Sequence, residues 1–487
     1  MPKIKSLKGR PESGIVTVLS LLFSVVALYY LIAVSSLAPL ARGVLAIAAL
    51  LVSSRAIIIY NGLRQLFGAY LLGGKAGVNF VDALSRWRPG FWTAFADWGL
   101  VLSFGLASYF LFKKQLSKMM LLFGLLSIFV IVYAVLPSSS IAFQFINLPQ
   151  ITSQINSAAP HQPTLISTVS MYLLNLLLLV GGFSLFILAT LVYSALSIIY
   201  GILAFSQSVI NNAPNYGIIS SQVPGVAPIL PGITMPLFAG IVTLAIILIV
   251  HEFSHGILAR VAKVKLKEIG LLVLGVIPIG AYVEPDERAV KRLNKEKQSR
   301  ILIAGISANL GLSILTFALL VLVATYLLPG FVTTKVFITA TAPNSPAFNV
   351  IPAGAQVLAW NGHIVTNLTS LAAAASSIPF TGVLVQTDKG NYSLISNATG
   401  KIGVSLSQTR GPIATLSGSI VYFIYTVLSL SFLLNFLVGV VNLLPIPSFD
   451  GWQIYQLLTK NKKVLGTLAW LAVLSILANV LPWIWAH

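Results

Sequence analysis

The sequence predicts a polytopic α-helical membrane protein of about eight to ten spans, carrying one small α/β insert. Three observations lead there. Of 487 residues, 57% are apolar and only 8% charged, against roughly 25% charged in soluble proteins, so the charges are too few to cover a water-facing surface. The apolar residues gather into runs near 20 residues long, about the length that crosses a bilayer core. One stretch, 333–411, is instead polar and β-branched. This composition excludes disorder, a disulfide-rich secreted module and a cytosolic multidomain enzyme. With no Cys, disulfides, thiolate nucleophiles and Cys-ligated metals are also excluded. A metal can be held only by His161, His251, His255, His363 or His487 and the 11 carboxylates. The excess of 30 Lys and Arg over 11 Asp and Glu gives +19. These basic residues sit in short runs between apolar segments, as cytoplasmic loops require, so no nucleic-acid partner is expected.

Taken in order, Lys3, Lys5, Lys8 and Arg10 precede an apolar run over 15–37, too long for a signal-peptide core and therefore a retained span. Further spans are expected near 43–60, 94–112, 119–136, 169–203, 235–256, 301–328, 414–441 and 464–485. The 169–203 run is long enough for one tilted helix or two short ones divided near Gly181-Gly182. Segment 61–91 reads as a loop with an interfacial helix. Asp97, between Trp92 and Trp98, reads as a helix-end charge at the membrane interface. Four parts follow: 1–234, a multi-span region of unknown role; 235–328 and 413–487, two halves of a membrane core; and 330–412, the insert. In the insert, strands suit 335–340, 356–360 and 382–386, with a helix near 368–376 and turns at Asn361-Gly362 and Lys389-Gly390.

Loop charge sets orientation. Ten Lys and Arg lie between Arg260 and Arg300, which places that loop in the cytoplasm. Segment 330–412 holds four Lys and Arg and is expected outside. All three Asn-x-Ser/Thr sequons, at Asn367, Asn391 and Asn397, fall within it. The path before residue 235 is not determined by charge, because Lys113, Lys114 and Lys118 conflict with a simple count.

The chemistry concentrates in His251-Glu252-Phe253-Ser254-His255, at the end of the apolar run that starts near Met235. Residues four apart share a helix face, so both imidazoles can reach one ion, with Glu252 beside the water that the ion would activate. Ionisable groups on a lipid-facing helix are costly and point to function. A third protein ligand is needed to leave the fourth position for water. Glu268, Glu284, Asp286, Glu287 and Glu296 lie in or beside the basic loop, and Asp388 and His363 lie in the insert. Asp450 follows the apolar run 414–444 within Asn442-Leu-Leu-Pro445-Ile-Pro447-Ser-Phe-Asp450-Gly451. Its two prolines stop the helix and allow irregular backbone at membrane depth. The expected metal is one Zn2+ per chain.

The HExxH in a membrane helix, the Gly305-x-x-x-Asn309 element and the Asn442-x-x-Pro445-x-Pro447-x-x-Asp450-Gly451 motif together resemble the site-2 protease family of intramembrane zinc metalloproteases. The resemblance covers about 235–485. It implies a three-helix core in which His251, His255 and Asp450 hold zinc and Glu252 is the general base. Gly305, Asn309, Asn442, Pro445 and Pro447 would line the site. The stretch 278–283 resembles the family's re-entrant β-hairpin. Ser345-Pro346-Ala347 and 353–362 resemble a PDZ domain, which many family members carry at this place, although the usual Gly-Asp reads Gly354-Ala355 here.

The expected function is therefore a zinc-dependent intramembrane endopeptidase of the cell membrane, working in the lipid bilayer. Its substrate would be a membrane-embedded peptide or single-span membrane protein, cut near the cytoplasmic face within or near its transmembrane segment. By the resemblance, another protease trims the substrate first, and the extracytoplasmic PDZ-like insert filters or binds peptides. Two alternatives stand beside it. One is an HExxH membrane protease of the prenyl-protein type, whose third ligand is a Glu on a later helix. The other is a metal-binding transporter or scaffold, although no internal repeat is evident.

Overall fold

Apolar runs this long can satisfy their backbone hydrogen bonds within a membrane only as helices, and helices dominate the computed structural model. It describes residues 12–484 except 36, 38, 67, 114, 137–164, 221–228, 230, 232–234, 376, 377 and 414. The basic N-terminal residues Lys3, Lys5, Lys8 and Arg10, together with His161 and His487, lie outside the described residues. The described residues divide into two compact units, one within 12–136, 165–317 and 430–484, the other within 318–429.

Among the described residues, seven helices are long and apolar enough to cross a membrane: Ala41–Asn61, Lys118–Val135, Tyr172–Ile210, Leu237–Val261, Lys295–Gly330, Leu416–Val441 and Lys462–Val480. An eighth apolar helix, Ser13–Tyr29, is shorter. These fit a polytopic helical membrane protein. The elements are α1 (Glu12–Tyr29), α2 (Pro39–Asn61), α3 (Lys75–Arg86), α4 (Pro89–Phe104), α5 (Ala107–Leu111), α6 (Lys118–Val130) and α7 (Leu165–Ile210). After them come α8 (Leu237–Val261) and α9 (Lys295–Leu322).

The expected span 94–112 is not one helix. α4 ends at Gly105, whose φ of 52° lies in the left-handed region, and α5 restarts two residues later. α7 breaks at Gly182, φ 60°, within the Gly181-Gly182 pair that the sequence singled out. The two breaks meet: a Cβ on Gly182 would lie 2.5 Å from the Leu102 carbonyl oxygen. Leu106 N–H donates to the Leu179 carbonyl at 3.0 Å. α7 thus supplies a backbone acceptor to the chain interrupted after α4, which helps make the break tolerable at membrane depth.

Segment 61–91 also differs from expectation. Its helix α3 is present, but β1 (Gln65–Leu66) and β2 (Ala69–Gly74) precede it. They form a four-stranded sheet, ordered β1-β2-β3-β4, with β3 (Leu266–Leu274) and β4 (Ile277–Pro285). The pairing is antiparallel, and β2 meets β3 from Tyr70↔Val273 to Gly74↔Ile269. Glycine makes the approach possible, since a Cβ on Gly270 would lie 2.7 Å from the Gly73 Cα.

Two ion pairs fasten the N-terminal helices to the helices that follow. Arg260 of α8 grips Asp82 of α3, with Nη2 donating to Oδ2 at 3.1 Å. Arg300 of α9 donates to both oxygens of Asp97 in α4, at 2.8 Å and 2.7 Å. Asp97 is therefore not an interfacial helix-end charge. It is buried, and the Gln115 amide also donates to it. Its partner lies 203 positions downstream, so nothing local in the sequence announces the pair.

In the second unit, β5 (Val332–Thr341), β6 (Ala355–Trp360), β7 (His363–Ile364), β8 (Gly382–Thr387), β9 (Gly390–Ile395) and β10 (Val404–Pro412) form one antiparallel sheet. Its order is β10-β5-β6-β8-β9, with β7 on β6. α10 (Leu368–Ala374) is capped by Asn367, whose side chain accepts from Ser370 N–H at 2.7 Å. Val336, Val357, Trp360, Leu371 and Val385 fill its core. Burial alternates along β8, with Val383, Val385 and Thr387 inward and Gly382, Leu384 and Gln386 outward, the period-two pattern of a half-covered strand.

Candidate metal centre

α8 is apolar along its first fourteen residues and then carries His251, Glu252 and His255. Its end is closed by Lys263 at φ 66°, with Val264 N–H donating to the Ala259 carbonyl at 2.8 Å. The i, i+4 spacing places both imidazoles on one face. The third residue arrives from α11 (Leu416–Val441) and the loop that follows it. Pro445 and Pro447 prevent the helix from continuing, and Ser448 turns at φ 83°. Gly451 N–H then donates to the Asn442 carbonyl at 2.7 Å, closing the loop on itself. Any side chain at Gly451 would run into that turn, with its Cβ 2.5 Å from the Leu443 carbonyl oxygen. Asp450 thereby becomes the first residue of α12 (Asp450–Leu458), where the positive end of the helix favours a carboxylate.

The result is a triangle of ligand atoms. His251 Nε2 lies 3.1 Å from Asp450 Oδ2, His255 Nε2 lies 3.2 Å from the same oxygen, and the two Nε2 atoms are 3.3 Å apart. Tetrahedral zinc with bonds of about 2.0 Å has ligand–ligand edges of about 3.3 Å, so these residues fit the ion. Among the described residues they are the group of three His, Asp or Glu side chains positioned to hold a metal. Glu284, Glu287 and Glu296, the alternative third ligands, do not join it. Glu252 is half-buried beside the pair, within Coulombic reach of His255.

α9 backs both imidazoles through three positions spaced four apart. His255 Nδ1 donates to the Ile301 carbonyl at 2.7 Å. At Gly305 a Cβ would lie 2.5 Å from His251 Cε1 and Nε2 and from His255 Nε2, so only glycine lets α9 come this close. Asn309 is fully buried, with Nδ2 3.1 Å from His251 Nδ1. Gly305 and Asn309 thus stand against the ligands themselves. Asn442 contributes its backbone carbonyl, buried Pro445 and exposed Pro447 shape the loop, and His363 lies in the second unit. The Ile301 carbonyl escapes sequence reasoning, because a backbone group carries no residue signature. Its one available signal is that it stands one turn before the Gly305-x-x-x-Asn309 element.

Residues 239–478 match the model of peptidase family M50. All three ligand candidates lie within the M50 segment, and so do Glu252, Gly305, Asn309 and Asn442. An uncharacterized protein of Methanocaldococcus jannaschii is 30% identical to this chain over 240 residues, 48% of the chain. The chain spans about three fifths of that relative's length, 61%. The M50 match agrees with the resemblance read from the motifs, and the seven apolar helices fit a multi-pass membrane protein.

Proposed function

We propose that this protein is an intramembrane zinc endopeptidase that hydrolyses a peptide bond within or near a transmembrane segment of a membrane-protein substrate. The observation that carries the proposal is the triangle of His251, His255 and Asp450, with edges of 3.1–3.3 Å, inside the M50 segment. These three side chains hold one Zn2+ per chain. Zinc supplies Lewis acidity when bound, lowering the pKa of a coordinated water from 15.7 to about 7.

Glu252 takes the proton of the attacking water and delivers it to the leaving nitrogen as the C–N bond breaks. A substrate helix conceals its amides in its own hydrogen bonds and must be extended before it is cut. β4 supports this step: among the described residues it pairs only with β3, which leaves its other edge free for an added strand. The basic loop between Arg260 and Arg300 favours a cytoplasmic site. Residues 330–412 are proposed to be a PDZ-like extracytoplasmic module that filters or binds peptides. Their antiparallel sheet with one short helix supports that reading.

Co-expression with single-span membrane proteins tests the activity. Wild type should yield a metal-dependent cleavage product. Glu252→Gln should abolish the product while the purified variant still holds one zinc per chain. A fully active Glu252→Gln would remove the assignment of the base.

A further inference from the structure

The two histidines are held differently from behind, and the difference exposes a residue with a role of its own. His255 Nδ1 faces the Ile301 carbonyl, which can only accept, so the proton of that imidazole sits on Nδ1 and Nε2 is free to ligate. His251 has the same requirement. Its Nε2 belongs to the ligand triangle, so its Nδ1 must carry the proton and needs an acceptor. The group placed there is the Asn309 amide, with Nδ2 at 3.1 Å. In that arrangement the amide offers a donor where an acceptor is required. Asn309 Oδ1 meanwhile is buried and has no hydrogen-bond partner. Buried polar atoms are seldom left so. A half-turn about Cβ–Cγ exchanges the two atoms and satisfies both conditions: Oδ1 accepts from His251 Nδ1–H.

We propose that Asn309 is a positioning residue that orients His251 through its amide oxygen, fixing the tautomer that presents Nε2 to the metal. The inference rests on the metal reading above. α9 then serves both ligands from one face, with a backbone acceptor at Ile301, a gap at Gly305 and a side-chain acceptor at Asn309. The opposite side of Asn309 is closed by α11, where a Cβ on Gly439 would lie 3.4 Å from the Asn309 Cβ. The amide is therefore boxed in against the imidazole and does not reach open surface. A neutral acceptor suits a fully buried place better than a carboxylate, whose charge is costly away from water.

The test is the Zn2+ dissociation constant of the purified full chain in detergent, measured by competition with a chromophoric chelator. Asn309→Leu keeps the branching at Cγ and removes the acceptor, and should weaken zinc binding about 10–100-fold. Asn309→Asp keeps an acceptor and removes the donor, and should stay within a few-fold of wild type. If Asn309→Leu does not fold, Asn309→Ala carries the same expectation. Asn309→Leu or Asn309→Ala binding zinc as tightly as wild type overturns the role. So does an Asn309→Asp that falls as far as Asn309→Leu, since Nδ2 would then be the group that matters. Wild type that binds no zinc, or Asp450→Ala that binds as well as wild type, instead overturns the metal reading and this inference with it.

Discussion

Gly305→Ala is the smallest change that reaches the centre of the site. The added methyl would stand 2.5 Å from three ring atoms, His251 Cε1 and Nε2 and His255 Nε2. Ordinary carbon contacts are near 3.5 Å, so the overlap is about 1 Å. Neither ring can simply retreat, because His255 is held by the Ile301 carbonyl and His251 faces buried Asn309. Either α9 moves away from α8 or the rings turn, and both open a triangle whose edges are now 3.1–3.3 Å. Metal bonds tolerate only about 0.2 Å of error. Overpacking of this kind costs about 1–3 kcal/mol of stability, and a misplacement of about 1 Å in a site can cost about 100-fold in rate. We therefore expect Gly305→Ala to lose at least about 100-fold in cleavage and to hold less than one zinc per chain by elemental analysis. Gly466→Ala is the control: its Cβ meets nothing within 4 Å, and it should be neutral or slightly stabilising. A Gly305→Ala protein with full zinc and wild-type cleavage would refute this account of how α9 packs on the ligands.

Three further outcomes follow from the same geometry. Asp450→Ala should abolish both zinc retention and activity, and chelator treatment of wild type should abolish activity reversibly, with zinc restoring it. Full zinc stoichiometry in Asp450→Ala would point to another third ligand. Asp97→Asn leaves the Arg300 guanidinium without its carboxylate and should destabilise by about 3 kcal/mol, read as a lower Tm in detergent. The double change Asp97→Asn with Arg300→Met should recover part of that loss, and an unchanged Tm in Asp97→Asn would show that the pair does not hold α4 to α9. Gly182→Ala, forced to φ 60° with its Cβ against the Leu102 carbonyl, should express poorly or unfold early, which size-exclusion profiles and thermal melts would detect.

Much of the centre was legible because its residues are local in sequence or carry strong chemical signatures. HExxH declares itself by spacing on a helix, and the stop at Pro445 and Pro447 declares irregular backbone before Asp450. Gly181-Gly182 was visible as a point of division. Gly105 was not, since one glycine inside an apolar run says nothing about the chain that crosses it. β2 carries no strand signal because Ala-Tyr-Leu-Leu-Gly-Gly has no long period of its own, and its partners in β3 lie about 200 positions later.

Composition and motif order were sufficient to establish a helical membrane protein with two imidazoles, one neighbouring acid and a distant aspartate of suitable chemistry. A hydrophobic run and an i, i+4 pair are properties of short segments, and short segments keep them wherever they pack. Assembly settled what depends on pairs far apart along the chain: that Asp450 closes the triangle, that the Ile301 carbonyl and Asn309 stand behind the rings, and that Asp82 and Asp97 secure the N-terminal helices to α8 and α9. Contacts between distant residues arise only once the helices have found each other, because hydrogen bonds and ion pairs act over a few ångströms and leave no periodic trace in the order of amino acids.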